Sequence, residues 1–171
     1  MEEVKSLLNE IEAGDYDASD RPFDFVDSDA ETALICESDE TMRQKLTSAL
    51  HDKGYQTTIA ASAREALKSM RFHLFDVVVV NENFDSSTPG HNDVLAYLET
   101  LAMGTRRQIF VALVSDNCRT MDNMAAFNKS VNVVINPKNI DDAGTILSGA
   151  IADNAAFYHV MKDVLKNMGR T

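Results

Sequence analysis

The sequence has no tryptophan, two cysteines and three prolines in 171 residues. Cys36 and Cys118 are too few for a disulfide framework or a cysteine-rich metal site. No apolar run approaches the ~20 residues that a membrane helix needs. The start, Met1-Glu2-Glu3, lacks the basic front of a secretory signal. A reduced, cytoplasmic setting with no membrane span is therefore expected. Basic charge is also short: the formal net charge is −11. Residues 1–31 hold eleven acids against Lys5 and Arg21, a balance of −9, while the other 140 residues are nearly neutral at −2. Neither part offers the basic face that a phosphate backbone requires, so no nucleic-acid partner is expected for this chain.

What is present is regular from Thr32 onwards. The stretch Asp76-Val77-Val78-Val79-Val80-Asn81 is the clearest element. Four β-branched residues favour a strand, and with no polar residue among them both faces are buried. The residue past the carboxyl end of such a strand, here Asn81, borders the crevice where open α/β sheets bind. Ala33–Cys36, Tyr55–Ala60, Ile109–Val114 and Val131–Ile135 read as further strands. Helices are expected over about 40–53, capped by Ser38 or Asp39, over 62–72 with a Ser62/Glu65 capping box, over 93–101, over 120–128, and from about 140 onwards. Strands alternating with helices predict a doubly wound α/β sandwich with a parallel sheet. No glycine-rich phosphate loop follows the first strand. Cys36-Glu37-Ser38-Asp39 stands there, which disfavours a dinucleotide enzyme.

Taken together, Ala33 to Arg43, Gly54-Tyr55, Ala60 to Leu67, Phe75-Asp76 and the spacing from Glu37 to Asn81 resemble the receiver domains of bacterial response regulators. The resemblance covers residues 32–153. It implies a flavodoxin-like (βα)5 fold, a parallel sheet of order 2-1-3-4-5, and a role in two-component signal transduction. Members of that family accept a phosphoryl group on an aspartate after the third strand. An acidic pair after the first strand holds Mg²⁺, a hydroxyl after the fourth and a lysine after the fifth contact the phosphoryl oxygens, and an aromatic on the fifth strand follows the switch. Matched residue by residue, this chain departs from nearly all of that. Asn81 stands at the acceptor position and Glu37-Ser38 at the acidic pair. Val114, or Ser115 if one residue is deleted, stands at the hydroxyl position. Asn136 occupies the lysine position, with Lys138 displaced beyond Pro137, and Val133 the switch position. An amide offers no anionic oxygen to phosphorus, and one glutamate is a weak site for a hard cation. The chain is similar to degenerate pseudo-receivers: no catalytic residue, metal or cofactor is expected, and protein–protein interaction is.

The last helix is long enough to reach Met168. Ala143, Leu147, Ala150, Asn154, Phe157, Met161, Val164 and Met168 recur at heptad spacing, a pattern suited to a homodimer or a partner helix. The alternative packs the first part of this helix on the sheet and folds the second part onto Leu7, Leu8 and Ile11. The expected organisation is an acidic helix and linker over 1–31, a receiver-like domain over 32–153, and a helical extension over 154–171. Two other functions stay open: a phospho-switch on a nearby acid, Glu82 or Asp39, and a flavodoxin-like domain binding a small molecule over Glu37, Ser38, Asn81 and Ser115. His91 and His159 are isolated and read as surface residues.

Overall fold

The structure, a computed structural model, describes residues 30–169 except 87 and 89. The expected helix over 2–12 and the acidic linker lie outside these residues. Five strands, β1 (Thr32–Cys36), β2 (Gln56–Ile59), β3 (Val77–Asn81), β4 (Phe110–Val114) and β5 (Val133–Ile135), form one parallel sheet of order β2-β1-β3-β4-β5. The flavodoxin-like, doubly wound architecture is thus present, with β3 at its centre.

The valine strand shows why. Val78 and Val80 face one core, with Leu34, Val111, Leu113 and Val134. Val77 and Val79 face the other, with Ile35, Ala112, Val133 and Ile135. All four valines are at most 1% exposed. Burying each contributes up to about 1.5–3 kcal/mol, an upper bound because the unfolded chain is already partly collapsed. The first core is closed by α2 (Ala63–Phe72), α3 (Asp93–Thr100) and α5 (Asn123–Asn128), and the second by α1 (Glu40–His51) and α6 (Ala143–Asn167).

Local chemistry sets the ends. Asp39, not Ser38, caps α1, its Oδ1 accepting from the Met42 N–H at 2.8 Å. Gly54 (φ 88°) turns the chain out of α1 through a conformation that residues with a Cβ rarely adopt. Ser62 caps α2, accepting from the Glu65 N–H, while the Glu65 carboxylate reaches back to the Ala61 N–H.

Two boundaries differ from expectation. After α3 the chain makes a second short helix, α4 (Met103–Arg106), unmarked by any periodicity because it is only one turn long. The last helix does not start at about 140, where it was expected. Instead Pro137 opens a 3₁₀ turn over Pro137–Asp142, capped by Asn136, and α6 follows as 25 continuous residues.

Candidate functional site

The expected site residues gather at the carboxyl edge of the sheet, but they divide into separate hydrogen-bonded sets. In the first, Glu37 leaves β1 and is 2% exposed. One of its carboxylate oxygens accepts from the Asp39 N–H at 2.9 Å, and the other accepts from Asn81 Nδ2 at 2.8 Å. Asn81 Oδ1 accepts from the Asn83 N–H at 2.9 Å. The amide is thus held at both ends. A dipole donating to a carboxylate stands where a second carboxylate would repel it. Ser38 is exposed on the loop, and Asp39 is occupied as the α1 cap.

The second set centres on Glu82, 8% exposed. Its carboxylate accepts hydrogen bonds from the Ser115 hydroxyl, from Asn117 Nδ2 at 3.0 Å and from the Lys129 ammonium at 2.7 Å. Burial raises the pKa of Glu82. The hydrogen bonds from Lys129, Ser115 and Asn117, with the lysine's charge, outweigh that and hold it below the ordinary value of 4.5. Lys129 is raised in turn, chiefly by its hydrogen bond to Glu82. Of the two candidates for the hydroxyl position, Val114 is a wholly buried strand residue paired with Asn81, and Ser115 carries the hydroxyl. That hydroxyl donates to Glu82, not to Asn81.

A third set closes the β5 end. Asn136 Nδ2 donates to the Cys118 carbonyl at 2.8 Å and its Oδ1 accepts from the Lys138 N–H at 3.0 Å. Thr120 bridges the Asn136 N–H and the Asn139 side chain. Lys138 is exposed, and Val133 is 5% exposed within the core that faces α1 and α6.

Residues that local sequence patterns did not mark complete these sets. Asn92, 7% exposed, caps α3 and also donates to the carbonyls of Asn81 and Glu82. Its cap position is readable in sequence, but its grip on the end of β3 is not. Lys129 lies 47 positions from Glu82, so no local signal joins them. Asp85, at φ 47°, accepts from the Ala63 N–H and so ties the loop after β3 to α2.

The chemistry available here is limited. Mg²⁺ favours several oxygen ligands in near-octahedral geometry. Glu37 has both oxygens engaged, its neighbour Asn81 is neutral, and Glu82 is neutralised by Lys129. The residues present do not fit that ion. Among the described residues no cluster of three or more His, Cys, Asp or Glu is arranged to hold a metal.

The long helix divides its proposed seam. Leu147 is fully buried against the chain's own sheet, Ala150 packs on the same core, and Asn154 Oδ1 accepts from Asn132 Nδ2 at 3.1 Å. Leu147 therefore serves the domain itself and not a partner seam, a correction set by the helix lying on the sheet through this length, while Ala150 and Asn154 are half-buried. Beyond them the exposed apolar stripe is Phe157, Val160, Val164 and Met168, at 79%, 73%, 50% and 59% exposure, with Met161 half-buried beside it. Val160 was not in the expected heptad. The alternative contact with Leu7, Leu8 and Ile11 lies outside the described residues. Among the described residues no helix is long and apolar enough to cross a membrane.

No protein-family model and no curated protein matches the chain. Solved structures do. A CheY-like response regulator receiver domain protein from Methanospirillum hungatei superimposes with a TM-score of 0.56 at 18% identity, over 73% of this chain and 96% of that one. The receiver domain of a Francisella response regulator gives 0.56 and 18%, over 72% and 98%. NtrX from Brucella abortus, in complex with ADP, gives 0.58 and 19%, over 83% of this chain but 30% of that one. At such identities the likeness establishes the fold, and the fold is that of receiver domains.

Proposed function

We propose that this chain is a receiver-like protein–protein interaction module in two-component-type signalling that does not accept a phosphoryl group. It acts in the cytoplasm and is not an enzyme. The observation that carries this is Asn81 at the acceptor position, its amide donating to Glu37, the one carboxylate left of the acidic pair. The other acids are committed as well. Asp39 caps α1, and Glu82 is buried beneath three donors, which speaks against either as a substitute acceptor. Domain organisation follows the same proposal: an acidic leader over 1–31, the receiver-like body over 32–153 and a helical extension over 154–171. The partner, or a second copy, binds the stripe Phe157, Val160, Val164 and Met168. The larger share of this chain covered by NtrX, 83% against 72–73%, fits a comparison that runs past the receiver body.

The test is intact mass after incubation with acetyl phosphate and Mg²⁺, followed by peptide mapping. An unchanged mass is expected. A stoichiometric, base-labile adduct would overturn the proposal, and its position would name the carboxylate that serves.

A further inference from the structure

The opposite end of the sheet holds a cavity of about 350 Å³. It lies at the amino-terminal ends of β3 and β4, between the last turn of α2, the end of α3 and the short helix α4. Val78, Phe75, Leu101 and Ile109 supply an apolar lining. Arg71, His73, Tyr97 and Thr105 supply the polar groups. The volume falls at the low end of the ~300–1,000 Å³ typical of small-molecule sites, and the mixture of an apolar wall with few polar groups is theirs too. It is none of the crevice residues Glu37, Ser38, Asn81 or Ser115.

Two features give the cavity a chemical preference. The first is charge. In a chain of net charge −11, no carboxylate among the described residues lines it, and the ionisable side chains among those that do are Arg71, His73 and Tyr97. Arg71 is exposed, with its guanidinium over the Phe72 ring 5.7 Å from the centroid, and the half-buried Tyr97 phenol lines the same cavity. A guanidinium held against an aromatic face beside a phenol suits a carboxylate. The second is construction. His73 is anchored by the Thr32 hydroxyl at 2.8 Å and packs edge-on against Phe75 at 4.7 Å, so its ring is held on two sides. Thr105 reaches the site only because α4 interrupts the connection from α3 to β4.

We infer that this cavity binds a small amphipathic carboxylate, its apolar body against Val78, Leu101 and Ile109 and its carboxylate at Arg71 and Tyr97. This inference does not rest on the fate of Asn81 or on the partner helix.

The test titrates the full chain with 2-naphthoate and with its neutral counterpart 2-naphthylmethanol, followed by amide chemical shifts. Saturable shifts confined to residues around Val78, Tyr97, Leu101 and Ile109 are expected, with the acid bound more tightly than the alcohol. Arg71→Gln changes an exposed side chain and leaves the fold intact. It should weaken 2-naphthoate by roughly three- to tenfold, as loss of a charge-assisted contact at a partly solvated site implies, and leave 2-naphthylmethanol unchanged. Thr105→Trp, which fills the cavity from its wall, should abolish both. Absence of saturable shifts into the millimolar range would overturn the inference. So would shifts centred on Glu37 and Asn81 or on the last helix, or equal binding of acid and alcohol that ignores Arg71.

Discussion

The two ends of the sheet are built on opposite principles. At the carboxyl end, charged and amide side chains are buried and matched to one another: Glu37 with Asn81, Glu82 with Ser115, Asn117 and Lys129, and Asn136 with the Cys118 carbonyl. At the amino end, a largely apolar wall encloses a cavity that Arg71 also lines. Polar groups buried in low dielectric contribute only when satisfied, and cost most when one partner is removed. Stability should therefore be sensitive to substitution at the first end and tolerant at the second.

The largest effect is expected at Glu82. Glu82→Ala strands the Ser115 hydroxyl, the Asn117 amide and the Lys129 charge, and should lower stability by about 2–3 kcal/mol, less than a fully buried pair because Lys129 is 41% exposed. Urea denaturation measures it, and a loss under about 0.5 kcal/mol would break the contrast between the ends. The pH dependence has a definite sign. Because the folded Glu82 pKa is lowered, its contribution is complete above the ordinary 4.5 and disappears as pH falls through the lower folded value. The gap between wild type and Glu82→Gln should accordingly hold from pH 7 to about 5 and close in stronger acid.

Next comes Asn81. Asn81→Asp places a second carboxylate against Glu37 and replaces a donated hydrogen bond with repulsion. A loss of about 1–2 kcal/mol at neutral pH is expected. Millimolar Mg²⁺ should recover part of it in the variant and do nothing for the wild type. A thermal shift assay with and without the ion reads both. A wild-type response to Mg²⁺ would show that Glu37 already coordinates the ion.

How far this was readable in sequence depends on the range of each interaction. The valine strand, the capping residues and the alternation of strands and helices are local patterns, whereas the sheet order came only with the resemblance to receiver domains. The carboxyl edge was legible as a set of residue types but not as an arrangement. Ser115 was expected only as one candidate for the hydroxyl position beside Asn81, whereas its hydroxyl donates to the next residue, Glu82, because side chains alternate in direction where a strand ends. Lys129 and Asn117 lie 47 and 35 positions from the carboxylate they serve. The cavity depends on α4, a single turn around Gly104 with no apolar period to betray it.

Substitutions at the amino end should cost little. Thr105 sits half-buried at the cavity wall, and Thr105→Ala trims a partly solvated side chain. A change within about 0.5 kcal/mol is expected. A loss above about 1 kcal/mol would mean that the wall is structural and would weaken the contrast.

The smallest effect on folding, and the largest on assembly, is expected on α6. The heptad reading merged two different surfaces of this helix. From Ala143 to Asn154 the repeat faces the chain's own sheet, because Leu147 is buried there and Asn154 is bonded to Asn132. From Phe157 onward the exposed stripe steps by 3, 4 and 4 through Val160, Val164 and Met168. That stripe contributes nothing to the receiver body, so Phe157→Glu with Val164→Glu should leave the unfolding midpoint within about 0.5 kcal/mol of wild type. If two copies meet along it, the same pair places like charges in a coiled-coil interface and should convert a dimer to a monomer in light scattering. Wild type and variant of equal mass, both monomeric, would instead assign the stripe to a different protein, and a dimer that survives the two glutamates would move the interface elsewhere on the molecule.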